Sequence, residues 1–160
     1  MEIRKAKLKD IKQITDYGVS LLKQHYELDT YFAPAKNLYE VYRKFFKGCV
    51  YSKNRYLLVA EEKGKIVGYA IGELGSRPPV FKIRKFGFIS DVFVEKNFRK
   101  LGIAKQFLLE LKKWFKSKKL NHIELTVHVK NEIGKKAWAK YGLEDYIIKK
   151  RVEMEKFSII

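Results

Sequence analysis

The sequence predicts a mixed α/β domain in which one sheet is covered by helices. Three observations carry this expectation. Two β-rich runs, Tyr56–Glu61 and Lys65–Leu74, are separated by Glu62-Lys63-Gly64, the pattern of a β-hairpin. Several stretches repeat apolar residues at the i, i+3, i+4 spacing of a helix with one buried face. Late in the chain a strand, a helix and a strand follow one another over residues 86–129, the order of a parallel crossover.

The elements follow in turn. Residues 2–7 alternate weakly and read as a first strand, and Asp10 is placed to cap a helix carrying Ile11, Ile14, Val19, Leu21 and Leu22. Leu38, Val41, Tyr42, Phe45 and Phe46 predict a second amphipathic helix, begun after Pro34 with Asn37 as its cap. After the hairpin, Gly75-Ser76-Arg77-Pro78-Pro79 reads as a loop, because two prolines cannot donate to a strand ladder. Phe86–Glu95 is β-rich, and Ile103, Phe107, Leu108, Leu111, Trp114 and Phe115 mark one face of a helix over 103–118. Ile123–Val129 reads as a strand, Ile133, Ala137, Trp138 and Tyr141 as a helix ended by Gly142, and Tyr146–Phe157 as a last strand. The expected order is β-α-α-β-β-β-α-β-α-β, in one domain over 1–160.

Composition narrows the function classes. A chain of 160 residues, 46% hydrophobic and 33% charged, has an ordinary globular balance. Cys49 is the single cysteine, so an intramolecular disulfide framework is excluded. Charges interrupt every apolar run before the roughly 18 residues of a spanning helix, and Met1-Glu2-Ile3-Arg4-Lys5 has no signal-peptide core. The expectation is a cytoplasmic protein with no membrane partner. Three histidines and one cysteine offer no zinc spacing, so no metal site is expected. Lys and Arg number 35 against 18 Asp and Glu, a net charge of +17. Two readings stay open: a lysine-rich solvated surface, or a basic face for an anionic partner such as RNA, an acidic peptide or a phosphorylated cofactor.

The segment richest in chemistry is Asp91-Val92-Phe93-Val94-Glu95-Lys96-Asn97-Phe98-Arg99-Lys100-Leu101-Gly102-Ile103-Ala104-Lys105. A strand runs through a short loop into a helix. The first amides of that helix lack internal partners and carry the positive end of its dipole, which makes them an anion site. Gly102 and Ala104 keep side chains out of the way, while Arg99, Lys100 and Lys105 add charge. A phosphate cradle and a strand–helix turn needing Gly for its geometry both fit the spacing. No Gly-Lys-Ser/Thr occurs, and one glycine does not make a dinucleotide fingerprint. Arg84-Lys85-Phe86-Gly87-Phe88-Ile89-Ser90-Asp91 approaches an RNA-recognition signature. Lys85 replaces its Gly and Asp91 its last aromatic, and residues 75–85 lack the helix and strand such a module needs. Nucleic acid is therefore disfavoured as a partner.

Arg99-x-x-Gly102-x-Ala104 resembles the Gln/Arg-x-x-Gly-x-Gly/Ala signature of the GNAT acetyltransferase superfamily. Val94 lies five residues before Arg99, and Asn131 is followed by Trp138 and Gly142-Leu143, which resembles the family's Asn-x6-Tyr-x3-Gly-Phe block. The opening Ile3-Arg4-x-Ala6-x3-Asp10-Ile11 and Val67-Gly68-Tyr69 are similar to the family as well, so the resemblance covers nearly the whole chain. It implies the GNAT fold: a mostly antiparallel central sheet flanked by helices, with one splayed parallel strand pair. It implies N-acetyl transfer from acetyl-CoA, as cosubstrate, to a primary amine on a small molecule or protein. Homodimers are common among such proteins. The alternative is an acetyl-CoA-binding GNAT-fold protein with little catalysis, acting as a binding module for nucleic acid.

The resemblance also distributes roles. Val92, Phe93 and Val94 would offer main-chain groups to the pantetheine arm, one N–H polarising the thioester carbonyl. Donors of that kind contribute roughly 2.7–4 kcal/mol elsewhere. Arg99, Lys100, Leu101, Gly102, Ile103, Ala104 and Lys105 would wrap the pyrophosphate. Asn131 and Trp138 would lie on the cofactor side, with Asn131 also free to cap a helix. Trp138 stands where the family places a tyrosine acid, and an indole N–H is a donor but no practical acid. Thr126 takes the place of a Glu that some relatives carry. The base is expected to be Asp91 acting through water, re-aimed by a bulge and oriented by Ser90, with His128 as the second candidate. Without a bulge, alternation places Phe88, Ser90 and Val92 on one face and Ile89, Asp91 and Phe93 on the other. The acceptor pocket is expected from the early helices and the loop 75–86, with Tyr31 and Phe32 as substrate-binding candidates.

Overall fold

The computed structural model describes residues 1–159. Contacts divide the chain into two units, Met1–His128 and Val129–Ile160. In the first, the chain runs through β1 (Glu2–Lys5), α1 (Ile11–Leu28), α2 (Leu38–Tyr51), β2 (Arg55–Glu62), β3 (Lys65–Ser76), β4 (Lys85–Val94), α3 (Ile103–Ser117) and β5 (Ile123–Leu125). The strands form one five-stranded sheet in chain order. All neighbours are antiparallel except β4 and β5, which run parallel across the α3 crossover.

The hairpin forms where the sequence predicts it. Lys63 and Gly64 both take positive φ, 49° and 79°, the turn geometry whose twist matches that of the flanking strands. Asp10 begins α1, but its carboxylate does not cap that helix. It accepts both Arg4 Nη groups, at 2.7 and 2.9 Å, and the Lys7 amide at 2.8 Å. Asn37 likewise stands at the start of α2 without a side-chain cap.

The sheet buries both faces. Ile11 and Ile14 of α1 and Phe46 and Cys49 of α2 pack with Leu57, Val59, Ile66, Tyr69, Ile71 and Phe93. On the other face lies α3, through Ile103, Phe107, Leu111 and Phe115. A Cβ added at Gly72 would meet Leu111 at 2.8 Å, and one at Gly87 would meet Phe115 at 2.6 Å, so these glycines let the helix sit close to the sheet. Trp114 stacks on Tyr56 of β2 with centroids 5.3 Å apart.

β5 covers only Ile123–Leu125, not the run to Val129 expected from composition. Its partners on β4 end at Ile89. The next residue of β4, Ser90, is a bulge: Ile89 pairs with Gly72 and Asp91 with Ile71, leaving Ser90 without an opposite number on β3. The bulge bends the strand away, and β5 loses its neighbour.

The second unit carries α4 (Glu132–Ala139), with Asn131 as its cap: Asn131 Oδ1 accepts the Gly134 amide at 2.9 Å. Gly142 ends this stretch at φ 80°. Tyr146–Phe157 does not form the expected strand; its one regular piece is a 3-10 turn at Met154–Lys156. Within this unit no strand is described for it to pair with, and Ile148 and Met154 stand more than four-fifths exposed.

Candidate active site

The bulge decides which way Asp91 points. Directly opposed residues on neighbouring strands share a face. Asp91 is opposite Ile71, which packs against α1 and α2, whereas Ile89 is opposite Gly72, against α3. Asp91 and Ile89 therefore lie on opposite faces, as the bulge expected from the family resemblance requires and unlike the unbulged alternation. One extra residue at Ser90 inverts the parity of everything after it.

On the helix side, Asp91 Oδ2 accepts the Tyr69 hydroxyl at 3.2 Å. Burial raises the Asp91 carboxyl above the ordinary aspartate range; the Tyr69 hydrogen bond and nearby His25 draw it down, and Glu73 pushes it up. The same wall holds Tyr42 of α2, pushed up to about 12 by burial and then by the charge of Asp91. Tyr69 is raised too, by burial first and then by Asp91. Aromatic contacts fix these rings: Phe46 meets Tyr69 edge-on at 5.3 Å and stacks on Tyr42 at 5.4 Å, while Phe93 stacks on Tyr17 at 4.8 Å. Glu73 is paired with Arg55 at 2.8 Å. Tyr69 thus supplies the hydrogen bond to Asp91 that the sequence reading assigned to Ser90. Ser90 Oγ is buried without a hydrogen-bond partner.

The other end of β4 presents the turn that the sequence singled out. From Ser90 to Val94 the outer edge of β4 carries no strand among the described residues. Arg99 Nε donates to the Val94 carbonyl at 2.9 Å and so closes the loop over the strand end. Lys100 and Gly102 take φ of 65° and 80°. Gly102 sits at the N-cap of α3, no side chain caps that helix, and a Cβ on Gly102 would meet nothing within 4 Å. The amides of Ile103, Ala104 and Lys105 lie in the first turn, where a helix has no carbonyl to offer them. Open space, uncapped amides and three cations, Arg99, Lys100 and Lys105, suit a pyrophosphate.

Tyr31 and Phe32 lie in a 3-10 turn after α1, with Tyr31 72% and Phe32 40% exposed. The Phe32 ring meets His128 edge-on at 6.1 Å, and His128 Nε2 stands 3.0 Å from Asp29 Oδ2. His128 lies beyond the end of β5, so it does not share a strand face with Thr126 as expected. Arg77 is held by Glu124 of β5 and lies over Phe86 at 4.5 Å, which makes it a tie between the loop 75–86 and the sheet. In the second unit, Asn131 caps α4 and Trp138 lies near Tyr141, ring centroids 6.3 Å apart.

Tyr69 is the site residue that sequence reasoning missed. The β3–β4 pairing sets it opposite Phe93, and only the bulge brings Asp91 to its side.

The model of the acetyltransferase (GNAT) family matches residues 21–143. The chain belongs to this family. GNAT proteins use acetyl-CoA to acetylate amines, so this chain is an acetyl-CoA-dependent acetyltransferase by family. No curated protein matches it. Its fold is similar to that of solved structures. A tetramutant of the BH1408 protein from Bacillus halodurans has a TM-score of 0.86 at 22% identity, covering 96% of this chain and 100% of that one. A predicted acetyltransferase from Clostridium acetobutylicum, crystallised with acetyl-CoA, has a TM-score of 0.74 at 22% identity, covering 98% and 97%. The aminoglycoside N-acetyltransferase AAC(6')-Iy, in complex with CoA, has a TM-score of 0.72 at 16% identity, covering 95% and 99%. Among the described residues no metal-binding cluster and no helix long and apolar enough to cross a membrane is found in this GNAT chain.

Proposed function

We propose that residues 1–160 act as one GNAT domain that transfers the acetyl group of acetyl-CoA to a primary amine, with Asp91 accepting the amine's proton through water. The bulge at Ser90 carries this reading. It ends the β4–β5 ladder, which frees the backbone edge of Val92, Phe93 and Val94, and it turns Asp91 to the opposite, helix-covered side. One irregularity thus separates a place for the donor from a place for the acceptor.

Acetyl-CoA supplies the acetyl group as an activated thioester. The chain's own residues bind and orient it: the amides of Leu101 to Lys105 and the cations Arg99, Lys100 and Lys105 take the pyrophosphate, and the free edge of β4 takes the pantetheine arm. The family resemblance adds Asn131 and Trp138 to the cofactor contacts. A carboxyl held above the ordinary aspartate range is a better base near neutral pH than a surface aspartate. Ser90 contributes a buried hydroxyl with no partner of its own to the same stretch. Tyr31 and Phe32, exposed beside His128, are the proposed acceptor contacts.

The test is CoA release when acetyl-CoA meets a panel of primary amines and basic peptides. Turnover is expected, falling at least ~100-fold in Asp91→Asn, within the range of general-base contributions. Retained acetyl-CoA binding with no turnover on any amine would favour a binding module in its place, the outcome that Trp138 in the tyrosine position makes worth measuring.

A further inference from the structure

We propose that Tyr69 is the positioning residue for Asp91, fixing which carboxylate oxygen is committed and which stays available to the acceptor side. The proposal rests on the acetyl-transfer reading above and deepens it.

Three features of the structure lead to it. First, the contact crosses strands: Tyr69 is opposite Phe93 and Asp91 opposite Ile71, so the two are diagonal neighbours on one face, and the hydroxyl reaches Oδ2 at 3.2 Å. Second, the Tyr69 ring is fully buried and held from two sides, edge-on by Phe46 at 5.3 Å and by Phe93 at 6.1 Å. A donor on a ring so confined has one place to point. Third, a tyrosine hydroxyl has one hydrogen, and given to Oδ2 it leaves Oδ1 to accept from elsewhere.

The other groups that act on Asp91 cannot substitute for this contact. From α1 comes His25, which is exposed. From α2 come Tyr42 and Cys49, which respond to the charge of Asp91. Glu73 of β3 is a like charge, itself paired with Arg55 of β2. Burial favours the neutral acid, and the Tyr69 hydrogen bond is the largest influence toward the carboxylate. Tyr69 therefore favours the carboxylate form of a buried Asp91 against the pull of burial toward the neutral acid.

The sign of the test follows. Tyr69→Phe keeps the ring and removes the donor, so the carboxylate loses support and its proton is held to higher pH. The acidic limb of the kcat/KM profile is expected to move up by about one unit, while KM for acetyl-CoA changes less than about twofold. In the Asp91→Asn background the same substitution is expected to add no further loss, because its effect passes through Asp91. Thermal melts of each variant monitor the fold. An acidic limb that stays in place, or a loss that adds fully to that of Asp91→Asn, overturns the assignment and leaves Tyr69 a packing residue. A wild-type protein that turns over no amine overturns the acetyl-transfer reading and this assignment with it, so the two failures are distinguishable.

Discussion

Gly102 shows how one residue can couple backbone geometry to ligand chemistry. Its φ of 80° lies where side chains are strained, yet a Cβ there would meet nothing. The glycine is thus required by conformation and not by crowding, and the space beside it is open. Two substitutions separate these roles. Gly102→Ala is expected to cost about 1 kcal/mol of stability through backbone strain and to retain acetyl-CoA binding. Gly102→Glu is expected to cost about the same stability but to weaken acetyl-CoA at least ~10-fold, because it brings a negative charge to an anion site. Calorimetric titration and urea unfolding of both variants check this. At this scale the turn was legible, since Arg99, Gly102 and Ala104 carry a spaced signature in sequence. The direction of Asp91 was legible only through the family resemblance, which implies a bulge in this strand. It depends on a residue count between two strands, and the residue types around Ser90 carry no mark of it.

Elements were legible where local chemistry decides them. The hairpin turn, the starts of α2 and α3 and the asparagine that opens α4 all follow from nearby residues. The misses occurred where a strand needs a partner edge. β5 stops at Leu125 because β4 bends off at Ser90, and Tyr146–Phe157 has no described strand beside it within its unit. Strand propensity is a statement about packing as much as about the segment itself. The seat of α3 gives a prediction. Gly87 faces Phe115 with a Cβ distance of 2.6 Å, all three nearest atoms belonging to that ring. Gly87→Ala is expected to destabilise the protein by about 1–3 kcal/mol, as overpacking does, and to lower the urea midpoint without changing the denaturant slope.

At the scale of the whole molecule, the +17 charge disfavours compaction, and a few paired sites offset it. Arg4 is one of them, bridging Asp10 and Glu61 across β1, the start of α1 and β2. Burial alone would push the Asp10 carboxyl up, but Arg4 and the Lys7 amide bring it below the ordinary range. A carboxyl lowered in the folded state adds stability above its unfolded pKa of about 3.9 and loses that contribution as pH falls through the folded value. Arg4→Met leaves a 4% exposed carboxylate without its cation. Its cost is expected to be about 3 kcal/mol at pH 7 and to shrink as pH falls below about 4, ending only below the lowered folded value of Asp10, where the carboxyl is neutral in folded and unfolded chains alike. Thermal melts from pH 3 to 8 check the trend. The arginine and aspartate were visible in sequence, but their pairing was not, because a helix cap was the nearer explanation for Asp10.

The single unpaired position in β4 makes that strand two half-strands under separate constraint. Ahead of Ser90, alternate positions answer to the crossover helix; behind it, the same odd-numbered positions answer to the pair of helices on the far side. Deleting Ser90 would set Ile89 on Gly72 and Asp91 on Ile71 as consecutive pairs, leaving each side chain on its present face while straightening the strand. The spare residue thus serves the edge rather than the facing: it is what holds the run from Val92 to Val94 apart from the strand across the crossover.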